Sequence, residues 1–256
     1  MAVMNVRHDP LALRPAKPLI AMRTKARAPG QDFATALQSV PAFRTLGTAT
    51  ISRLSAGAQI DSLARGATLF AAGADCPGLY IVASGRIMLS IGGAGTDKKV
   101  IRLADPGDII GLTATLLGES TFLAAEALVD SKVVMIARDV LLERAAHDAH
   151  LAQALANIAA RHTQTLTHDL EAVSLHSGRE RIANYLLDGA RGDAATPRTV
   201  VLPAKKSIIA SLLSVTPEYF SRTLHELISS GAVEVNGRQI IIRDVARLRG
   251  SPRQTP

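Results

Sequence analysis

The chain has 256 residues, 47% of them hydrophobic and 20% charged, a globular composition with room for two modest domains; with aromatics at 3% and no tryptophan, its core must be aliphatic. A single cysteine, Cys76, excludes an intramolecular disulfide, a four-thiolate iron-sulfur cluster and a cysteine zinc site held by one chain. The net charge of +7 sits at the two ends: residues 1–30 carry six basic residues against Asp9, residues 176–256 carry twelve against seven acidic ones, and the centre is mildly acidic. That distribution points to a polyanion, most simply nucleic acid, held by a terminal module.

No stretch approaches the roughly 18 to 20 apolar residues of a membrane span, and the N-terminus lacks a signal-peptide core, so the expectation is a cytoplasmic protein without a membrane partner. Residues 1–32 hold Pro10, Pro15, Pro18, Pro29 and Gly30 among scattered basic side chains and read as a disordered basic tail. An Arg-rich transit peptide, or a start nearer Met22, are the competing readings. A short amphipathic helical pattern follows from Phe33 to Leu54. The runs "GATLFAAG", "GLYIVASGRIMLSIGG", "KKVIRLADPGDIIG" and "FLAAEALVDSKVVMIARD" are then β-prone and punctuated by glycines, the texture of an antiparallel roll over residues 33–145.

After Asp139 the period turns helical. Leu151, Leu155, Ile158, His162 and Thr165 form a near-heptad seam, extended by Leu166, Leu170 and Val173, and predict a dimerisation helix over 146–175. About 30 residues make roughly 45 Å of helix, more than a small domain covers, so pairing with a second copy would bury the seam. The alternative is that the helix packs on its own roll. "DGARGDAATPRT" breaks the helix, and a compact module follows over 176–256.

In that module Thr216 is a good N-cap, Pro217 suits the first helical position, Glu218 complements the helix dipole and Gly231 ends the helix. Phe220, Leu224, Leu227 and Ile228 share one face; Glu218, Ser221, Arg222 and His225 share the other. "KKSIIASLL" supplies a preceding short helix with Ile208, Leu212 and Leu213 as core candidates, and "AVEVNGRQIII" reads as a hairpin closed by Asn236-Gly237. Helix, turn, helix and hairpin make a winged DNA-binding domain. Arg222 can donate two hydrogen bonds to guanine, Glu218 can accept from a cytosine amine and Ser221 can meet a thymine or adenine edge. Lys205, Lys206, Thr216, His225 and Arg238 are placed to hold the DNA backbone.

The order of β-roll, long helix and winged helix-turn-helix resembles the CRP/FNR family of bacterial transcription regulators over roughly residues 33–249. "LPAKKSIIASLLSVTPEYFSRTLHELISSGAVEV" is similar to the family's C-terminal signature, and "GLYIVASGRIMLS" and "PGDIIG" to its sensor motifs. The resemblance implies an α+β chain, a homodimer on an inverted repeat, and contact with RNA polymerase. Glu218, Ser221 and Arg222 match the FNR branch, which implies TTGAT-like half-sites; the CRP branch has arginine in place of Pro217 and glycine in place of Ser221.

Cyclic-nucleotide readers of the family grip the phosphate with an arginine followed by serine or threonine, a pair that falls here on Thr121 and Phe122. No Arg or Lys occurs from Leu103 to Ser131, and a buried phosphate without countercharge is costly, which argues against cyclic AMP. The cysteine count excludes the iron-sulfur cluster. Haem stays open, as a sensor of nitric oxide or carbon monoxide, with Cys76, His147, His150, His162, His168 and His176 as candidate ligands; a solvated or interface role is the competing reading for each histidine, and an incidental loop thiol for Cys76. Two other classes are weighed: a cupin-like enzyme, which lacks histidine between Asp9 and Ala146, and a nucleotide- or small-ligand-binding interaction module without DNA contact.

Overall fold

The computed structural model describes residues 23–27, 30–92, 98–191 and 198–250. Strand β1 (Arg23–Arg27) precedes helix α1 (Gly30–Ser39), a 3-10 turn (Pro41–Phe43), α2 (Thr48–Ala56), β2 (Ala58–Leu63), β3 (Thr68–Phe70), β4 (Gly78–Ser84), β5 (Ile87–Ile91), β6 (Lys99–Ala104), β7 (Ile109–Ile110) and α3 (Leu112–Leu117). Next come β8 (Ala124–Ala127), β9 (Ser131–Ala137), α4 (Arg138–His147) and α5 (Ala149–Leu175). The C-terminal module comprises α6 (Gly178–Asp188), β10 (Arg198–Val201), α7 (Lys206–Leu212), α8 (Pro217–Ser229), β11 (Val233–Asn236), β12 (Gln239–Ile242) and α9 (Val245–Arg249).

The strands of the first module form two antiparallel sheets, β1-β2-β9-β4-β7 and β3-β8-β5-β6. The central strands are buried on both faces, which is why they read as unbroken apolar runs. Leu79, Ile81, Val134 and Ile136 point toward the helices, where they meet Phe33, Leu37, Phe43 and Leu54. Tyr80, Val82, Val133 and Met135, the alternate residues, point between the sheets against Leu69, Phe70, Ile87 and Leu89. The roll therefore has a filled interior and a second apolar layer under its helices.

Two expectations are corrected here. Residues 23–27 of the presumed tail form β1, which pairs with β2 from Arg23↔Leu63 to Arg27↔Gln59, and α1 already begins at Gly30; residues 1–22 lie outside the described part. No signal in Arg-Thr-Lys-Ala-Arg announced a strand, because its partner supplies the hydrogen-bonding edge. The seam residues Leu151, Leu155 and Ile158 lie in the chain's own core, 0%, 4% and 7% exposed, under the first half of α5. Beyond them His162 is half-buried and Thr165 exposed, and the exposed apolar side chains are Leu166 (57%), Leu170 (67%), Val173 (48%) and, at the helix end, Leu175 (73%).

The long helix also starts later than its period indicated. Asp148 breaks the chain between α4 and α5 and caps the latter, accepting hydrogen bonds from the backbone N–H groups of His150 (3.0 Å) and Leu151 (3.2 Å). The same carboxylate accepts from the Thr50 hydroxyl of α2 and faces Arg144 at 3.5 Å, so one side chain ties α2, α4 and α5 together. The Thr50 hydrogen bond, followed by the two backbone N–H groups and the Arg144 charge, holds the Asp148 carboxyl below its ordinary value despite partial burial. A carboxyl depressed in the folded state stabilises the fold while ionised and loses that contribution as pH falls through its folded value. The melting-temperature gap between the natural chain and Asp148→Asn is thus expected to be full near neutral pH and to close below about pH 4, near the unfolded carboxyl value; a gap independent of pH between 7 and 3 would contradict this.

Candidate nucleic-acid interface and its link to the sensor

The C-terminal module is built around Ile182, Leu186, Ile209, Phe220, Leu224, Leu227, Ile240 and Leu248, all within 2% of complete burial. Helix α7 presents Ile209 and Ala210 to this core, whereas Ile208, Leu212 and Leu213, the core candidates of the sequence, are partly buried. In α8 the inward face is Phe220, Thr223, Leu224 and Leu227, and Ile228 turns out to be 41% exposed. Thr223 takes the place of Ile228 because, at 100° per residue, it lies on the Leu227 flank of the face about 60° from Phe220, whereas Ile228 lies about 80° away on the opposite flank, beyond Leu224.

The joint between α7 and α8 is tight. Ser214 adopts a left-handed conformation (φ 57°), uncommon for a residue with a Cβ. Arg181 of α6 holds this turn, donating from Nε to the Leu213 carbonyl (2.9 Å) and from Nη2 to the Ser214 carbonyl (3.1 Å). Thr216 caps α8 by accepting the Tyr219 N–H at 3.1 Å, which leaves its hydroxyl proton available to a phosphate.

Glu218, Ser221, Arg222 and His225 are all exposed on the outer side of α8, and Lys205 and Lys206 are exposed at the start of α7. The Arg222 guanidinium lies 5.3 Å from the centre of the Tyr219 ring, a cation–π contact that restricts the rotamers of Arg222. Tyr219 escaped the sequence reading. Its signal was Gly178, where a Cβ would come within 2.8 Å of the Tyr219 ring, so the glycine makes room for the side chain that positions Arg222.

The hairpin differs in one detail. Asn236 pairs with Gln239, so the loop residues are Gly237 and Arg238 rather than Asn236 and Gly237. Gly237 alone has a positive φ (61°), the pattern of a turn with glycine first. Arg238 donates from Nε (2.9 Å) and Nη2 (2.6 Å) to the Leu202 carbonyl; much of its donor capacity pins the wing instead of facing outward.

The sensor candidates are dispersed. Cys76 is buried among the roll's side chains with its thiol donating to the Gly78 carbonyl at 3.2 Å. His147, His150, His168 and His176 are exposed, His168 beside Glu171. His162 lines a cavity beside α5. The structure does not bring these residues together, and no group of three or more metal-ligating side chains occurs among the described residues. At the position of the family's phosphate clamp, the Thr121 hydroxyl is turned onto the backbone of Leu123 and Phe122 is 68% exposed.

Residue models of two domains match this architecture: a Crp-like helix-turn-helix domain over residues 180–250 and a cyclic nucleotide-binding domain over 60–148. The nitrogen fixation regulation protein FixK of Azorhizobium caulinodans is 30% identical over 192 residues, covering 73% of this chain and 76% of FixK. The chain belongs to the CRP/FNR family of transcription regulators. The fumarate and nitrate reduction regulatory protein of Escherichia coli K12 is 27% identical over 195 residues, 74% of this chain and 78% of its own. The solved structure of FixK2 from Bradyrhizobium japonicum superposes with a TM-score of 0.65 at 26% identity, covering 78% of this chain and 99% of FixK2. Relatives of this kind are DNA-binding regulators, which sets aside the enzyme reading. Among the described residues no helix is long and apolar enough to cross a membrane.

In this CRP/FNR regulator the DNA module is fastened to the sensor along β6, the free edge of the four-stranded sheet. Ser211, in the last turn of α7, accepts the Val100 N–H at 2.9 Å and donates to the Lys98 carbonyl at 3.4 Å. Lys99 donates to the carbonyls of Ser211 and Leu212 at the same helix end (3.2 Å to Leu212), a favourable place for a cation. Burial, and then the nearby Arg181 charge, lower the Lys99 ammonium pKa, with Asp169 opposing them. Below this contact Arg86 joins Asp105 (2.5 Å) to the Pro203 carbonyl (2.9 Å), beside Tyr185, whose hydroxyl burial pushes up to about 12. Leu103 and Leu128 of the roll pack against the C-terminal core. Ser211→Ala removes both edge hydrogen bonds while leaving that core intact, so the Val100 amide is expected to exchange at least about fivefold faster with solvent deuterium, with amides of α8 unchanged. Equal exchange at Val100 would show that Ser211 does not hold the edge.

Proposed function

We propose that the chain acts as a homodimer on an inverted repeat with TTGAT-like half-sites, reading base edges through Glu218, Ser221 and Arg222 and gripping the backbone through Lys205, Lys206, Thr216 and His225. The observation that carries this reading is the division of α8: Glu218, Ser221 and Arg222 are exposed in its N-terminal half, while Phe220, Leu224 and Leu227 anchor the opposite face. A recognition helix enters the major groove in that orientation. Arg222→Ala is expected to cost about 1 to 3 kcal/mol on the inverted repeat and to relax selection at one base pair. Lys205→Ala should weaken binding on every sequence and lower the salt slope. Gel shifts at stated salt check both; an Arg222 variant that loses equally on all DNA would remove its assigned role.

The dimer reading moves from the seam to the second half of α5. Leu166, Leu170 and Val173 form an exposed stripe that a second copy of the helix would cover. Leu170→Glu is expected to shift the chain from dimer to monomer in sedimentation equilibrium and to weaken binding to the full repeat at least about tenfold. A variant that stays dimeric would place the interface elsewhere.

The effector acts, in this reading, by changing how the roll and α5 present the DNA module, with the β6–α7 contact as the joint through which the sensor is felt. RNA polymerase is the further partner that family membership supports, and a cytoplasmic location fits such a regulator. The names of the relatives refer to nitrogen fixation and to fumarate and nitrate reduction, which supports a metabolic regulator of that kind.

A further inference from the structure

A cavity of about 370 Å3 opens where the β6–β7 turn, the 3-10 turn and α5 converge. Its apolar wall is Val40, Pro41, Ile109 and Ile158, and its polar rim is Arg102, Asp108, Asn157, Arg161, His162 and Thr165. The turn that forms one side is held rigidly. Gly107 has a φ of +93°, and a Cβ there would come within 2.6 Å of the Ser39 carbonyl oxygen. Asp108 accepts the Asp105 N–H at 2.8 Å and pairs with Arg102 at 2.6 Å.

The charge balance of this rim is not closed. Asp108 is consumed by Arg102 and the turn, whereas the Arg161 guanidinium has neither an ion pair nor a hydrogen bond among the described residues. Burial, and then the Arg102 charge, hold the His162 imidazole below its usual pKa, so near neutral pH it serves as an uncharged hydrogen-bonding group. The Asn157 carbonyl oxygen accepts from Gln153, leaving its amide protons to face a ligand. A pocket with one uncommitted cation, neutral hydrogen-bonding groups and a hydrocarbon wall is matched to a small molecule with an anionic head and an apolar body.

We propose that this pocket binds a small amphipathic organic anion, its head against Arg161 and His162 and its body against Pro41, Ile109 and Ile158. The proposal rests on the reading of the first module as an effector sensor and names the chemical class of the effector. Arg102 joins the pocket to the joint described above: it lies on β6 two residues beyond Val100, whose N–H is held by Ser211. On α5, at 100° per residue, Thr165, Arg161 and Asn157 lie about 100° to 180° around the helix from Leu166, whereas His162 lies one turn before Leu166 at the border of the stripe, so a second copy of the helix on that stripe leaves the Arg161 side free.

The test uses the full chain without DNA and two fluorescent probes that share one ring system: anilinonaphthalene sulfonate, an amphipathic anion, and N-phenyl-1-naphthylamine, which lacks the sulfonate. The anion is expected to saturate one site per chain, with Arg161→Ala weakening it at least about tenfold, the loss typical of a charge-assisted hydrogen bond. The uncharged probe should not respond to that variant. Thr165→Trp, a substitution on the exposed rim, should block the anion by filling the cavity. Unchanged anion binding in both variants would overturn the proposal and would locate the probe on another apolar surface. Gel shifts on the TTGAT repeat separate the two readings: probe binding that depends on Arg161 without operator binding keeps the pocket and removes the half-site assignment, and the reverse result removes the pocket alone. Added operator should change the affinity for the anion at least threefold, because coupling between sites is reciprocal; equal affinities would deny the pocket a part in regulation.

Discussion

A helix of 27 residues, about 40 Å at 1.5 Å per residue, cannot be covered along its whole length by a roll whose longest strands have seven. Everything else in this regulator follows from how that mismatch is resolved. The first half of α5 is consumed by the sensor: Leu151, Ala154, Leu155 and Ile158 enter the same apolar cluster as the outward face of the larger sheet. The second half projects beyond it with leucines uncovered. The helix is therefore fixed at one end by burial and at its start by Asp148, and it delivers α6 and the DNA module to a place determined by the sensor.

That placement makes the edge of the smaller sheet meaningful. An edge strand has backbone groups that need a partner, and an unprotected one invites association with other chains. Here β6 is capped by the end of α7, through Ser211 and Lys99, so the strand edge of the sensor and the carbonyl end of a helix in the DNA module satisfy one another. Hydrogen bonds of this kind contribute modestly each, on the order of 1 kcal/mol. The large apolar cores on either side are not asked to open.

The recognition helix obeys a different economy. Its buried face is held by Phe220, Leu224 and Leu227, and its approach angle by the Arg181 clasp on a turn that contains a left-handed serine. Tyr219 lies between the two functions, against Gly178 on one side and Arg222 on the other. Holding an arginine over an aromatic ring restricts its rotamers before any partner arrives.

The linear chain was sufficient for the order of the modules, for the strands that read as apolar runs, for the N-cap at Thr216 and for the polar face of α8, because each depends on residues within a few positions of one another. Periodicity could also show that α5 has an apolar side. It could not show which copy of the protein covers which part of that side, and so Leu151, Leu155 and Ile158 were assigned to a partner when they belong to the chain's own core. β1, the Ser211 joint and the uncommitted Arg161 were likewise invisible: each arises where segments far apart in sequence come into contact, and a backbone edge or an unpaired charge leaves no pattern in neighbouring residues. Local chemistry wrote the elements; burial and the pairing of distant polar groups, which exist only once the chain is folded, decided what those elements face.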